Sequence, residues 1–173
     1  MWDVTWGPTE PGRFAARLSR FHVRVEGPQG PLLAHLPNSG RLRELLVPGA
    51  PVRLLPRSRS DRRTAADLLL VALPEDGSTG WASVDARLPP RILAAAVARG
   101  AIPSLAGYRT ARREPRLGGG RADLLLVGAD TPPWPGLPRA LPPALVETKS
   151  ITLVIGGAGL FPDSPTARGR RHL

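Results

Sequence analysis

"ALVETKSITLV", residues 144–154, runs from an apolar start to Glu147 and then Lys149, the only lysine among 24 Lys and Arg residues. As an extended strand, its alternation places Leu145, Glu147, Lys149 and Ile151 on one face, with Val146 and Thr148 on the other. Glu147 and Lys149 then lie about 7 Å apart along one side of the strand, at roughly 3.3 Å of rise per residue. A carboxylate and an ammonium at the edge of an apolar strand need partners. Upstream, "RADLLLV" (121–127) sets Asp123 directly before a run of apolar residues, and "ARREPRL" (111–117) carries Glu114 just before a glycine turn. Acid-x-lysine alone recurs by chance, and its plain structural reading is an ion pair at the rim of a sheet. Asp123 at a strand start is what turns it into a constellation.

Two or three carboxylates converging beside a cation suit a Mg²⁺-dependent phosphodiesterase. Hard carboxylate oxygens hold Mg²⁺ or Mn²⁺ while waters and phosphate oxygens complete the shell. The metal acidifies a bound water and offsets charge on phosphorus. Lysine's compact charge fits against the attacking water or a phosphate oxygen, where arginine's wide, permanently protonated fork does not. That is a physical reason for one lysine among so many arginines. Glu114, Asp123 and Glu147 are therefore the candidate metal ligands, and they join Lys149 as candidate catalytic residues.

Around this stretch the second half reads as strands after one clear helix, "LPPRILAAAVARG" (88–100), with prolines at its start and Gly100 as a stop. "GYRTARREPRLGGGRADLLLVGAD" (107–130) reads as two strands joined by a glycine turn. The first half reads as short strands, "RFHVRVEG" (20–27), "PLLAHLP" (31–37), "APVRLLP" (50–56) and "LLLVAL" (68–73), punctuated by turn residues. "RLRELLV" (41–47) fits one or two helical turns with Leu42, Leu45 and Leu46 on one side. The expected fold class is α+β to α/β: an OB-like β-barrel over 1–80, then a mixed sheet with helices over 81–173.

Net charge is +10, which favours a polyanionic partner, with nucleic acid the commonest. Some of that arginine also reads as plain surface solvation. No apolar run approaches the roughly 18–20 residues of a membrane span. No basic residue precedes an apolar stretch at the N-terminus, and there is no cysteine. No membrane partner is expected, and the cytoplasm is the default location.

Three stretches also resemble the sugar fermentation stimulation (SfsA) family: "PNSGRLRELLVPG" (37–49), "GGGRADLLLV" with "ALVETKSITL" (118–153), and "FPDSPTARGRRHL" (161–173). The resemblance implies an OB-like domain followed by a domain similar to the PD-(D/E)xK nucleases, with DNA binding and metal-dependent nuclease chemistry. Matched residue by residue, it implies a site at Glu114, Asp123, Glu147 and Lys149, with Arg168 as a phosphate or helix-side contact. Family members usually run on for some tens of residues past His172-Leu173, so the chain is expected to be short at its C-terminus. The alternative is a non-catalytic, regulatory DNA-binding protein whose metal site is vestigial or incomplete.

Other signals bear on binding. "PNSG" holds the only asparagine; Asn-Ser-Gly is a turn first of all, while Asn38, Arg41 and Arg43 could also set an amide and two guanidinium groups on a phosphate backbone. Arg57, Arg59, Arg62 and Arg63 form either a solvated flap or a phosphate clamp. Arg112, Arg113, Arg116 and Arg121 flank the acids where a DNA strand would pass. Phe21 and Trp81 are expected in the core, which favours binding led by the backbone. "IGGAGL" (155–160) is no phosphate loop, because Thr148 rather than glycine precedes the lysine.

Overall fold

The computed structural model describes residues 5–57, 63–73, 80–118, 120–128, 141–155 and 158–160, which fall into two compact units. The first unit takes in 5–87 together with the strands of 151–160; the second takes in 88–150. Among the described residues, no helix is long and apolar enough to cross a membrane.

Strands β1 (Glu10–Arg17), β2 (His22–Gly27), β3 (Gly30–His35), β4 (Pro51–Pro56), β5 (Ala66–Ala72) and β6 (Trp81–Ser83) make one sheet in the order β3-β2-β1-β4-β5-β6. A parallel pairing of β3 with β5, Ala34 opposite Ala66 and His35 opposite Asp67, closes the first five strands into an OB-like barrel. Alternation fills it: Val23 and Val25 of β2, Val52 and Leu54 of β4, and Leu68 and Val71 of β5 are buried with Phe14, Leu36 and Val84. "RLRELLV" forms a single turn, Leu46 N–H donating to Leu42 O at 2.8 Å, the shorter of the two lengths expected. Leu42 and Leu45 still reach the core from it.

Sequence patterning misses β1, because "EPGRFAAR" carries Pro11 and Gly12 and a register break between Phe14 and Ala16. Gly12 is required by close packing. A Cβ there would stand 2.7 Å from Val25 Cγ1 and 3.1 Å from Glu26 O. Gly12→Ala is expected to cost about 1–3 kcal/mol by overpacking, read as a lowered urea midpoint with unchanged slope. β6 extends the sheet on β5, Ala72 opposite Trp81, and the first unit continues through Arg87.

Phe21 and Trp81, expected in the core, are 42% and 43% exposed. Phe21 sits in the turn before β2, and Trp81 begins an edge strand, so neither points into the barrel interior. Arg53 lies over the Trp81 ring, 5.8 Å from its centroid.

Among the described residues the first unit buries two carboxylates, Asp67 on β5 and Asp85 just after β6. Asp67 Oδ2 accepts from Arg57 Nε (3.2 Å) and Nη2 (3.0 Å) and from Arg87 Nη2 (3.1 Å), while its Oδ1 lies 3.3 Å from His35 Nδ1. Arg87 also bonds the buried Asp85 through Nε (2.8 Å) and Nη2 (2.7 Å). Arg57 is thus engaged with Asp67 and Arg63 is exposed, while Arg59 and Arg62 lie outside the described residues.

In the second unit, α1 (Leu88–Ala98) forms where the sequence places it. It stops at Gly100, whose φ of +64° is a left-handed glycine cap. The bonds from Gly100 N–H to Val97 O (3.1 Å) and from Ala101 N–H to Ala96 O (2.9 Å) close the helix end. Ala94 and Val97 pack on Leu124 and Leu126 of a three-stranded antiparallel sheet, β11-β10-β7. These strands are β7 (Tyr108–Arg113), β10 (Leu124–Gly128) and β11 (Ala144–Val146), with a short ladder of β8 (Arg116–Leu117) and β9 (Gly120–Arg121) between β7 and β10.

The single strand expected over 144–154 is instead broken. β11 ends at Val146, and β12 (Leu153–Ile155) pairs with β13 (Ala158–Leu160) in the first unit. The Thr152 hydroxyl there donates to Glu44 Oε1 at 3.1 Å. The cause of the break is local. Beyond Val146 the next inward N–H, that of Thr148, is taken by the Asp123 side chain rather than by a ladder carbonyl.

Candidate metal and phosphate site

Register sets the site. Arg113 of β7 and Val146 of β11 both lie opposite Leu124 of central β10, in one row across the sheet. One step along each strand beyond that row come Glu114, Asp123 and Glu147. The sequence therefore delivers all three acids to the same end of the same sheet. Two backbone bonds hold the row: Glu114 N–H donates to Asp123 O (2.9 Å), and Asp123 N–H donates to Val146 O (3.0 Å).

The side chains then part. Asp123 Oδ2 accepts from both Thr148 N–H and Thr148 Oγ1, each at 2.6 Å, so the carboxylate caps the turn that leaves β11. Glu147 forms an ion pair with Lys149. Glu114, at φ +47° in the bend between β7 and β8, pairs with Arg121 at 3.0 Å. Both of those side chains are exposed. Among the described residues, no three acids or histidines stand close enough together to hold a metal ion.

A divalent cation of Mg²⁺ type needs less than three, because it binds through one or two carboxylates and keeps waters and phosphate oxygens as its other ligands. The donor set here is all hard oxygen. Among the described residues, none donates to Asp123 Oδ1, and Glu147 is partly exposed on the neighbouring strand end. Asp123 and Glu147 therefore fit such an ion; Glu114 stands in the row but is turned to Arg121.

Positive charge collects at the same unit's edge. Arg112, Arg113, Arg116 and Arg121 are exposed on β7, β8 and β9. Arg113 has a lowered pKa, first through burial and then through the charge of Arg91 on α1. Arg91 escaped sequence reading because nothing in a helix's first turn says which strand it will face. Asn38, Arg41 and Arg43 lie apart from this set, in the first unit. Asn38 Oδ1 accepts from Gly40 N–H at 2.8 Å, the turn reading of that motif. Arg41 and Arg43 are exposed, and Arg168 lies outside the described residues.

The chain matches two family models, described as the SfsA N-terminal OB domain over residues 16–84 and the sugar fermentation stimulation protein RE domain over residues 87–173. It is 46% identical over 161 residues to a sugar fermentation stimulation protein homolog of Moorella thermoacetica, covering 92% of this chain and 63% of that protein. It is 41% identical to the homolog of Natranaerobius thermophilus, covering 94% of this chain and again 63% of the relative. A solved structure of SfsA from Pyrococcus furiosus in complex with Ca²⁺ superposes with a TM-score of 0.78 at 30% identity, over 96% of this chain and 64% of that one. The chain thus spans somewhat less than two thirds of the length of these relatives.

Proposed function

This chain belongs to the sugar fermentation stimulation protein family, and from that premise we propose that it binds DNA and hydrolyses phosphodiester bonds with a divalent cation held by Asp123 and Glu147. The observation that carries the reading is the row of Glu114, Asp123 and Glu147 one step past Arg113, Leu124 and Val146, with the only lysine two residues on. The Ca²⁺ bound by the Pyrococcus furiosus relative is also an oxygen-seeking divalent ion.

A bound Mg²⁺ or Mn²⁺ would supply an acidified water and offset the charge gathering on phosphorus. Asp123, with Oδ2 fixed by Thr148, presents Oδ1 in a set direction. Lys149, balanced by Glu147 in the free protein, brings an ammonium to the water or to a phosphate oxygen. The water oxygen bonds to phosphorus and gives up a proton to solvent, the phosphorus–oxygen bond to the leaving group breaks, and the leaving oxygen takes a proton from solvent. Arg112, Arg113, Arg116 and Arg121 position the backbone without reading bases. A cytoplasmic location belongs to the same proposal.

A second reading has its own observation: each of the three carboxylates already has a protein partner in Thr148, Lys149 or Arg121. On that reading the chain is a non-catalytic, regulatory DNA-binding protein. Incubating the full chain with supercoiled and linear DNA in Mg²⁺, Mn²⁺ or EDTA separates the two. Nicking in either metal, absent in EDTA and lost in Lys149→Ala, is expected. Salt-sensitive retention of DNA with no cleavage in any buffer would establish the second reading instead.

A further inference from the structure

Arg17, at the end of β1, donates five hydrogen bonds, all to backbone carbonyls. Nε reaches Ser19 O (3.1 Å), Nη1 reaches Gly40 O (2.6 Å) and Arg41 O (2.8 Å), and Nη2 reaches Arg20 O (2.6 Å) and Asn38 O (3.3 Å). One half-buried guanidinium therefore ties the 18–21 turn to the 38–41 turn. Among the described residues, none of its hydrogen-bond partners is a carboxylate, so its charge is solvated by dipoles and left uncancelled.

The two turns it joins carry Arg20 and Arg41, both exposed, and no acid. Glu44, the nearest acid in sequence, accepts the Thr152 hydroxyl. On the first of these turns Phe21 is 42% exposed. Its backbone is held by Leu36 N–H donating to Phe21 O at 2.8 Å. Beside it lies His35, ring centroids 6.4 Å apart and tilted by 41°, with Nδ1 3.3 Å from Asp67 Oδ1. A lone exposed phenylalanine is ordinary on a protein surface. One on a turn fixed by five bonds, amid uncancelled positive charge, is not ordinary.

From this we infer that the barrel unit holds a binding site for unpaired nucleotides, with Phe21 as the base-stacking platform, Arg20 and Arg41 as phosphate contacts, and Arg17 as the residue that positions both turns. The inference rests on the nucleic-acid reading above and specifies the strandedness of the ligand. Bases inside a duplex offer no free face to an aromatic ring, whereas an unpaired base does. Trp81 is the weaker platform, since the Arg53 guanidinium already covers its ring.

The test uses the full chain in EDTA, with fluorescein-labelled oligothymidylate, oligouridylate and a DNA duplex of equal length, followed by anisotropy across a salt series. Phe21→Ala is expected to weaken single-strand binding roughly tenfold, with an unchanged salt slope and duplex binding unaltered. Phe21→Trp should bind as the parent does. Phe21→Leu should behave like Phe21→Ala, because apolar bulk without a π face cannot stack. Arg41→Gln should reduce the single-strand salt slope by about 0.7. A Phe21-dependent gain for either single strand supports the site. Parent-like binding by Phe21→Ala or Phe21→Leu, or an equal loss on duplex, overturns it. Since Phe21 is outside the core, a thermal melt will show the variants folded. Duplex bound with Phe21→Ala silent defeats this inference alone; no oligonucleotide bound at all defeats the proposed function with it.

Discussion

Asp123→Asn is expected to lower Mg²⁺-dependent DNA cleavage by the full chain at least about a hundredfold while leaving the fold in place. The substitution separates two roles of one side chain. Asparagine keeps an oxygen that can accept from Thr148 N–H and Oγ1, now at 2.6 Å from Asp123 Oδ2, so the turn leaving β11 survives. What it removes is the negative charge that a divalent ion requires. Thr148→Val makes the opposite cut: the carboxylate stays, but one of the two donors that aim it is lost. Its expected effect is smaller, about tenfold, and should appear as a raised Mg²⁺ requirement more than a lowered maximal rate. Parent-like cleavage by Asp123→Asn at saturating Mg²⁺ would remove Asp123 from the site.

The second large effect concerns stability. Asp67→Ala is expected to destabilise the barrel unit by about 3 kcal/mol, measured by urea unfolding. It would leave a void in the barrel and strip Arg57 and Arg87 of the oxygen they share, at 3.0 and 3.1 Å. The exposed sides of those arginines can recover some hydration, which keeps the loss at the low end of what breaking a buried pair costs.

The pH dependence has a definite sign. Burial alone would raise the Asp67 pKa, but hydrogen bonds from Arg87 and Arg57 and their charges more than offset that and hold it below the ordinary carboxylate value. A carboxyl depressed in the folded state binds its proton more readily when unfolded. Its stabilisation is therefore complete above the unfolded pKa of about 3.9 and drains away as pH falls through the folded value. Asp67→Asn should flatten the acid limb of stability below about pH 4 relative to the parent. Parallel acid limbs for parent and variant would show that Asp67 does not carry this linkage.

These two carboxylates mark the limit of what could be read from the chain. Asp123, before a run of apolar residues, is recognisable as an acid at the mouth of a strand. Asp67, before "LLLVAL", has the same local pattern and a different role. Only the tertiary structure distinguishes them, because β3 pairing beside β5 and the return of Arg87 bury one, while the other ends a sheet row.

The barrel strands β2 to β5 and helix α1 are legible in period-2 alternation, proline starts and Gly100, since burial of one face imposes its period on the residues that form it. β1 is not, because Pro11, Gly12 and a bulge break the pattern where strands approach most closely. The exposure of Phe21 escaped for a related reason: hydrophobicity says what a side chain prefers, not whether a second layer exists to cover it.

By itself the sequence determined the two-part architecture and the positive charge, and it singled out Glu114, Asp123, Glu147 and Lys149 as the candidate set. The tertiary structure alone decided their arrangement. Strand register carries the acids to one end of one sheet, which is a property of pairing between distant segments. Side-chain pairing then turns each toward Thr148, Lys149 or Arg121, because charges and lone pairs find partners in three dimensions that no linear spacing specifies.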